Sequence, residues 1–254
     1  MNVRESGVRA QVSAEEWQLR VDTAAAYRLI ALFGWDDLIY THISTRIPGP
    51  EHHFLINPYG LMFEEISASN LIKVDHDCRP VLATDYPVNP AGFVIHSSIH
   101  EAREDVGCVI HTHTTAGVAV SAQRQGLLPI SQQAAVIMGS LAYHDYEGIA
   151  VLDDEKPRLQ RDLGNCHFLI LRNHGLLTVA QTVADAFQAM FVLQRACEIQ
   201  VMAQAGGGEL IPVNPAVIAS SRDKVRTATH GMGASLTWPG LLRRLARHYP
   251  GFDD

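Results

Sequence analysis

The segment from Cys108 to Thr115 limits the possible folds of this chain more than any other part of it. An apolar run, rich in β-branched residues, leads directly into His111, Thr112 and His113. Such a run predicts a buried β-strand. Alternate side chains of a strand lie on one face, about 6–7 Å apart along the chain, so the imidazoles of His111 and His113 can converge on one metal ion. Two polar residues at a strand end would show the same pattern, so the motif leaves both interpretations open.

A second segment adds a third candidate ligand. Residues His167–Arg172 and Leu176–Val179 are apolar runs that predict two further buried strands, and the turn between them contains His174. Three protein ligands with one open position are typical of a catalytic zinc site, whereas a structural site uses four ligands and is closed. His111, His113 and His174 are therefore candidate metal ligands. Alternatively, His174 is a turn residue that is bonded to the backbone.

The composition indicates an ordinary globular protein. The chain has 254 residues, of which 47% are hydrophobic and 19% charged, and its net charge of −7 argues against binding to nucleic acids or acidic membranes. Its polar N-terminus lacks the apolar stretch of a signal peptide, and no apolar run approaches the ~20 residues of a membrane-spanning helix. Four widely spaced cysteines without a Cys-x-x-Cys pair favour free thiols, so we expect a reducing, cytoplasmic environment.

Helix and loop signals divide the chain into three parts. Residues 1–12 form a polar leader, residues 13–205 a main domain, and residues 206–254 a C-terminal extension that packs on or near the same domain. Ser13 begins the sequence Ser-Ala-Glu-Glu, a capping box that predicts a helix ending at Gly34.

A long helix is predicted from Thr182, its N-cap, to Ala205. It contains more apolar residues than a helix with one buried face requires, so either a partner or the ordinary core covers it. Gly206, Gly207 and Gly208 then form a flexible break rather than a phosphate-binding loop, because no Lys-Ser or Lys-Thr follows them.

His96 and His100 form a competing candidate metal site. They lie at i and i+4 of a helix predicted over about residues 93–103, a spacing that can bind zinc. We interpret His100 as an ordinary residue of the helix surface. Residues 143–148 are polar and aromatic, and they predict either a surface loop or an edge that faces substrate.

Four segments together carry a resemblance to a known family: AGFVIHSSIHEAREDVGCVIHTHT, GLLPIS, AYHDYEGI and LILRNHGLLTV. The chain resembles the class II aldolase/adducin family over about residues 13–205, and it is most similar to the adducin-head branch. The resemblance implies an α/β fold with three layers, α/β/α, around a central, mostly antiparallel sheet. It also implies a homotetramer with sites at the subunit interfaces.

The resemblance implies one divalent metal per chain. His111, His113 and His174 match the three histidines that bind metal in the aldolases of the family. Zinc is the usual ion there, and manganese and iron are alternatives because imidazole suits all three. The metal would polarise a hydroxy-ketone and stabilise the charge that develops on its oxygen.

Two departures from the aldolase pattern concern phosphate binding and proton transfer. Pro90, Ala91 and Gly92 stand where the aldolases have a phosphate-binding Ser-Ser pair and a catalytic Glu. Gln132 and Gln133 lie near the place of an aldolase tyrosine. We therefore expect that phosphorylated sugars are not cleaved at useful rates.

Two functions from different classes fit this sequence. The first is a metal-dependent lyase that acts on a non-phosphorylated carbonyl or carboxylate small molecule, by aldolase-type C–C cleavage or by decarboxylation. His96 and Tyr143 are candidate catalytic residues, with Glu101 and Arg172 as further candidates. The second is a non-catalytic oligomeric binding module, like an adducin head in a cytoskeletal, actin-type assembly.

Overall fold

The fold is built on one sheet whose strands come from the whole length of the main domain. A computed structural model describes residues 5–148 and 153–254 of the chain. Within these residues the strands are β1 (His42–Arg46), β2 (Phe54–Ile56), β3 (Ile72–Val74), β4 (Cys108–Thr112), β5 (Leu141–His144), β6 (Phe168–Leu171) and β7 (Gly175–Ala180). The α-helices are α1 (Glu5–Arg9), α2 (Ala14–Leu32), α3 (Pro90–Ala102), α4 (Thr115–Ser121), α5 (Gln132–Ile137), α6 (Lys156–Leu163), α7 (Val183–Ala205), α8 (Pro215–Ala228) and α9 (Trp238–His248).

The sheet is mixed but mostly antiparallel, with the strand order β3-β2-β1-β4-β7-β6-β5. The pair β5–β6 is parallel, and the other neighbouring pairs are antiparallel. β4 lies between β1 and β7, and its His111 stands opposite His42 of β1. The predicted strand that carries the His-x-His pair is therefore at the centre of the sheet.

Helices cover both faces of the sheet, which gives the predicted three layers. On one face, Tyr27 of α2 and Phe187 of α7 pack with Ile110 of β4. On the other face, Ile99 of α3 and Leu159 of α6 pack with strand residues such as Val109 and Leu177. Successive side chains of a strand alternate between the faces, so His111 shares the α3/α6 face with Val109. The predicted fold class is confirmed.

The cap of α2 forms as predicted, but its capping box is incomplete. The Ser13 hydroxyl accepts a hydrogen bond from the Glu16 backbone N–H at 3.0 Å. The Glu16 carboxylate does not return to Ser13, because Arg20 and Lys73 hold it in a buried ion pair at 3.1 and 2.8 Å. The helix ends before Gly34, whose φ of +68° is easily adopted by glycine.

The apolar helix α7 packs in the core of this chain. Of the two predicted alternatives, a partner or the ordinary core, the core therefore covers it. Phe187, Met190 and Leu193 are fully buried in it, and each such side chain contributes about 1.5–3 kcal/mol to stability. Met202, by contrast, is 76% exposed. Thr182 caps the helix by accepting from the Asp185 backbone N–H at 3.1 Å.

The C-terminal residues contact the main domain directly. Trp238, Leu245 and Phe252 are buried in the same core as α2 and α7. The Trp238 Nε1 donates to Asp22 at 3.0 Å, and the Arg28 guanidinium donates to the backbone carbonyls of residues 249–251. These contacts place the extension on the domain, although the boundaries at residues 12 and 205 stay a prediction, and residues 1–4 of the leader lie outside the described residues.

Two further observations concern the cysteines and the helices. All four cysteines, Cys78, Cys108, Cys166 and Cys197, are free thiols. Across the part of the chain that the structure describes, no helix combines the length and apolar character that crossing a membrane requires.

Candidate metal centre

The three histidines come from two neighbouring points of the sheet. His111 is the fourth residue of β4, and His113 follows that strand directly. Thr114, one residue after His113, caps α4 by accepting from the Gly117 backbone N–H at 3.1 Å. His174 lies in the turn from β6 to β7, because Asn173 has a φ of +56° and reverses the chain there. β4 pairs with β7, so the turn lies beside the end of β4.

The imidazoles meet at one point. The ring centroids of His111, His113 and His174 lie 4.6–4.8 Å apart in every pairing. One ligand nitrogen from each ring lies within 4.8 Å of the other two. The structure thus brings together the three residues that the sequence predicted, as a group that could hold a metal ion.

Hydrogen bonds fix the proton positions on two of these rings. The Nδ1 of His111 lies 2.9 Å from the carbonyl oxygen of Leu176, and the Nδ1 of His113 lies 3.0 Å from the Asp37 carboxylate. A carbonyl and an ionised carboxylate can only accept, so each Nδ1 carries the proton. The Nε2 atoms of the two rings then face each other at 2.9 Å. Either a proton or a metal ion shared between them would satisfy both nitrogens.

Burial favours the neutral form of His111 and of His174. It lowers the pKa of His111 well below the ordinary value, and the neighbouring His174 and His113 lower it further. Burial, followed by His113 and His144, lowers the pKa of His174 to about 4. A metal ligand must offer a neutral imidazole, and the protein supplies this form near neutral pH without a metal.

Asp37 is a functional residue that the sequence reasoning missed. It lies between α2 and β1, 76 residues before its partner His113, and it belongs to no recognisable motif. A carboxylate behind a ligating histidine orients the ring and raises its basicity.

Removal of the Asp37 carboxylate should weaken metal binding without unfolding the chain. We expect Asp37→Ala to reduce zinc affinity about 10–100-fold, the usual cost of losing such a partner. The side chain is 48% exposed, so its deletion leaves no buried cavity. Competition with a chromophoric chelator measures the affinity, and Asp36→Ala is the matched control. Equal affinities in the two variants would contradict the orienting role.

The competing histidine pair forms a buried cluster instead of a second group of ligands. His96 Nδ1 and His100 Nε2 both contact the Ser44 hydroxyl, at 2.7 and 2.8 Å. His100 is 1% exposed, so it is not on the helix surface as we expected, because α3 packs this side on β1. The His96 ring lies 4.1 Å from that of His42, which in turn lies 5.8 Å from His111. His96 is therefore next to the metal centre but not part of it.

The buried His100 should make the protein sensitive to acid. Burial and the nearby Arg46 cation lower the pKa of His100 to about 3. An unfolded chain takes up this proton below about pH 6.5, whereas the folded chain cannot, so stability falls as the pH falls from about 6.5 towards 3. Each such group contributes a slope of up to about 1.4 kcal/mol per pH unit.

We expect the His100→Gln variant to have a shallower pH dependence of its unfolding free energy than the unchanged protein. Urea unfolding of both metal-free proteins at several pH values measures the slopes. His76→Gln, at an exposed histidine, is the control and should leave the slope unchanged. A His100→Gln slope equal to that of the unchanged protein would contradict the assignment.

Tyr143 and Glu101 are not brought to the three imidazoles, whereas Arg172 lines a cavity beside His174 but directs its guanidinium elsewhere. Tyr143 packs on the α2/α7 face, opposite to His111, and its hydroxyl accepts from the Leu127 backbone N–H at 3.0 Å. The Arg172 guanidinium lies over the Tyr143 ring and donates to the Gln123 carbonyl at 2.8 Å. Glu101 is paired with Lys156 at 3.4 Å near the surface. Tyr143 also lies in β5, so the prediction of a loop from residue 143 is wrong for its first two residues.

The rest of that loop does face the site. Residues 145–148 line a cavity of about 10 Å³ together with His174, His144 and Glu155. The Tyr146 ring lies 6.2 Å from the His174 ring. Residues 145–147 are also exposed, as in a surface loop, so a substrate-facing role of this loop stays a prediction.

The comparison with known proteins agrees with the fold. The family model described as the class II aldolase and adducin N-terminal domain matches residues 21–201. The chain belongs to this family. The recognition made from the sequence is therefore confirmed.

Relatives of the class II aldolase and adducin family include enzymes and adducins. A Pseudomonas aeruginosa protein named "Putative aldolase class 2 protein PA3430" is 59% identical over 249 residues, 96% of this chain and 95% of that protein. The solved structure of L-fuculose 1-phosphate aldolase from Glaciozyma antarctica PI12 is 30% identical with a TM-score of 0.80, and the match covers 93% of each chain. Alpha-adducin of Rattus norvegicus is 47% identical over 227 residues, 87% of this chain but 31% of that protein.

Proposed function

We propose that this member of the family is a metal-dependent lyase. It would break a C–C bond of a non-phosphorylated carbonyl or carboxylate compound, by aldolase-type cleavage or by decarboxylation. The observation that carries the proposal is the convergence of His111, His113 and His174, each of which offers one ligand nitrogen within 4.8 Å of the other two. The Nε2 atoms of His111 and His113 face each other at 2.9 Å, where one shared ion would satisfy both nitrogens.

His111, His113 and His174 would hold one divalent ion per chain, zinc first and manganese or iron as alternatives. When bound, the ion supplies Lewis acidity towards a carbonyl or carboxylate oxygen. The residues around it orient the ligands: Leu176 through its carbonyl and Asp37 through its carboxylate. Three protein ligands leave a coordination position for an outside oxygen, as catalytic sites do.

The remaining parts of the proposal concern assembly and location. We propose a homotetramer in the cytoplasm, with a small molecule as substrate. Exposed apolar side chains beside Asp37, Leu38 at 57% and Tyr40 at 55%, support contact with another copy near the site. The free thiols support a reducing compartment.

Metal analysis tests the proposal. The protein purified without chelator should contain about one divalent ion per chain, as expected for a three-histidine site with an open position. Elemental analysis by mass spectrometry measures the content. A folded, fully metal-free protein that takes up no zinc on titration would remove the enzyme hypothesis. Fuculose 1-phosphate should not be turned over, because Pro90, Ala91 and Gly92 lie where aldolases bind phosphate.

A non-catalytic binding module is the second candidate, favoured by the 47% identity to alpha-adducin. In such a module the metal would hold the fold together instead of acting on a substrate. If the site is catalytic, loss of one ligand should leave the protein folded. If the ion is structural, the same loss should prevent folding.

A further inference from the structure

Glu155 is a carboxylate near the metal centre that the site described above does not use. It precedes α6 and lines the small cavity that also contains His174 and Tyr146. Its side chain is 13% exposed, so it is largely removed from solvent. No sequence signal indicates this placement, since Glu155 lies 19 residues before His174 and in no motif.

His144 anchors one oxygen of this carboxylate. The His144 Nε2 lies 3.2 Å from Glu155 Oε1, and its Nδ1 lies 2.8 Å from the Asp162 carboxylate. Because Asp162 fixes the imidazole from behind, the position of Glu155 Oε1 is fixed as well. With Nδ1 donating to Asp162, a neutral His144 accepts at Nε2 from a protonated Glu155, and a doubly protonated His144 donates from Nε2 to an ionised Glu155. Both forms keep the contact, so Glu155 can gain or lose a proton without moving.

The described hydrogen bonds and ion pairs of Glu155 use Oε1, and the residue itself lines the cavity. Among residues 5–148 and 153–254, Glu155 Oε2 makes no hydrogen bond or ion pair. The cavity of about 10 Å³ has room for about one water molecule. A general base acts at hydrogen-bond distance or through one water, and this geometry suits the second case.

The other carboxylates near the imidazoles are less suited to this task. Asp37 is occupied by His113 at 3.0 Å, and Glu147 is paired with Arg158 at 2.5 Å. Asp145 lines the same cavity but is exposed and has no anchoring partner among the described residues.

We propose that Glu155, positioned by His144 and Asp162, is the proton acceptor and donor for chemistry at the metal centre. In a C–C cleavage of the aldol type, the proton of the substrate hydroxyl would pass through one water to Glu155 Oε2. The electron pair of the breaking C–C bond would remain on the leaving carbon, and Glu155 would return the proton to that carbon. No oxidant or reductant is needed. The inference rests on the proposed function, because it requires a metal that activates the substrate.

Proton release on binding of glycolohydroxamate to the zinc-loaded protein tests this inference. This hydroxamic acid lacks phosphate and binds zinc as an anion, so its proton must go to a protein group or to the buffer. Calorimetry in two buffers of different ionisation enthalpy counts the protons released. We expect close to none in the unchanged protein and about one per bound ligand in Glu155→Gln, since the amide cannot accept the proton.

Two further variants separate the outcomes. Asp145→Asn, at the exposed carboxylate of the same cavity, should behave as the unchanged protein. Glu155→Asp, which shortens the side chain, should also release the proton and serves if Glu155→Gln does not fold. Equal proton release in the unchanged protein and both Glu155 variants would overturn the role of Glu155. That result would leave the proposed function standing. A zinc-loaded protein that binds no glycolohydroxamate would overturn the open metal position, and with it the proposed function.

Discussion

The His113→Ala variant is expected to lose its metal while remaining folded. His113 contributes one of three ligands, and its removal should lower zinc affinity by more than the ~10–100-fold that loss of an outer-shell partner costs. The side chain is 19% exposed and lies beyond the end of β4, so its deletion creates no sealed cavity in the core. His111 is 2% exposed, and its replacement would affect folding as well as binding.

The measurements are zinc affinity, by chelator competition, and thermal unfolding with subunit mass. His248→Ala, at an exposed histidine of α9, is the matched control and should retain zinc. A His113→Ala protein that is folded and metal-free supports a catalytic site with an open position. A variant that no longer folds would indicate that the ion is structural, and the binding module would become the better hypothesis.

The Gly175→Ala variant is expected to damage both the fold and the site. A Cβ at residue 175 would lie 2.4 Å from the Thr112 carbonyl oxygen, 3.1 Å from His113 Cδ2 and 3.3 Å from His111 Cε1. The backbone oxygen cannot move without separating β7 from β4, and that movement would carry His174 away from its two neighbours. Overpacking of this kind typically costs about 1–3 kcal/mol, and sometimes more.

Urea unfolding and zinc affinity should both change in Gly175→Ala. Gly139→Ala provides the control, because a Cβ there meets nothing within 4 Å. Unchanged zinc affinity in Gly175→Ala would show that the ends of β4 and β7 can separate without disturbing the imidazoles, contrary to the geometry described above.

Local patterns carried the prediction of the central strand, the capped helices and the three imidazoles. The alternation after Cys108, the Ser13 and Thr182 caps and the turn at His174 each depend on residues within a few positions of one another. The structure agrees with these local predictions because β4, α2 and α7 form the centre of the fold.

Side-chain partners that are distant in sequence could not be predicted in this way. Asp37 reaches His113 only because the segment after α2 passes the end of β4. Glu155 reaches His144 only because α6 packs beside the edge strand β5. The face on which Tyr143 packs likewise depends on the pairing of β5 with β6, which no local signal indicates.

The turn that presents His174 depends on a residue in an uncommon backbone conformation. Asn173 has a φ of +56°, in the left-handed region that asparagine, aspartate and glycine tolerate better than other residues. Natural variation at position 173 should therefore be confined to these three amino acids. A β-branched substitution there would be selected against for its backbone alone, whatever compound the protein acts on.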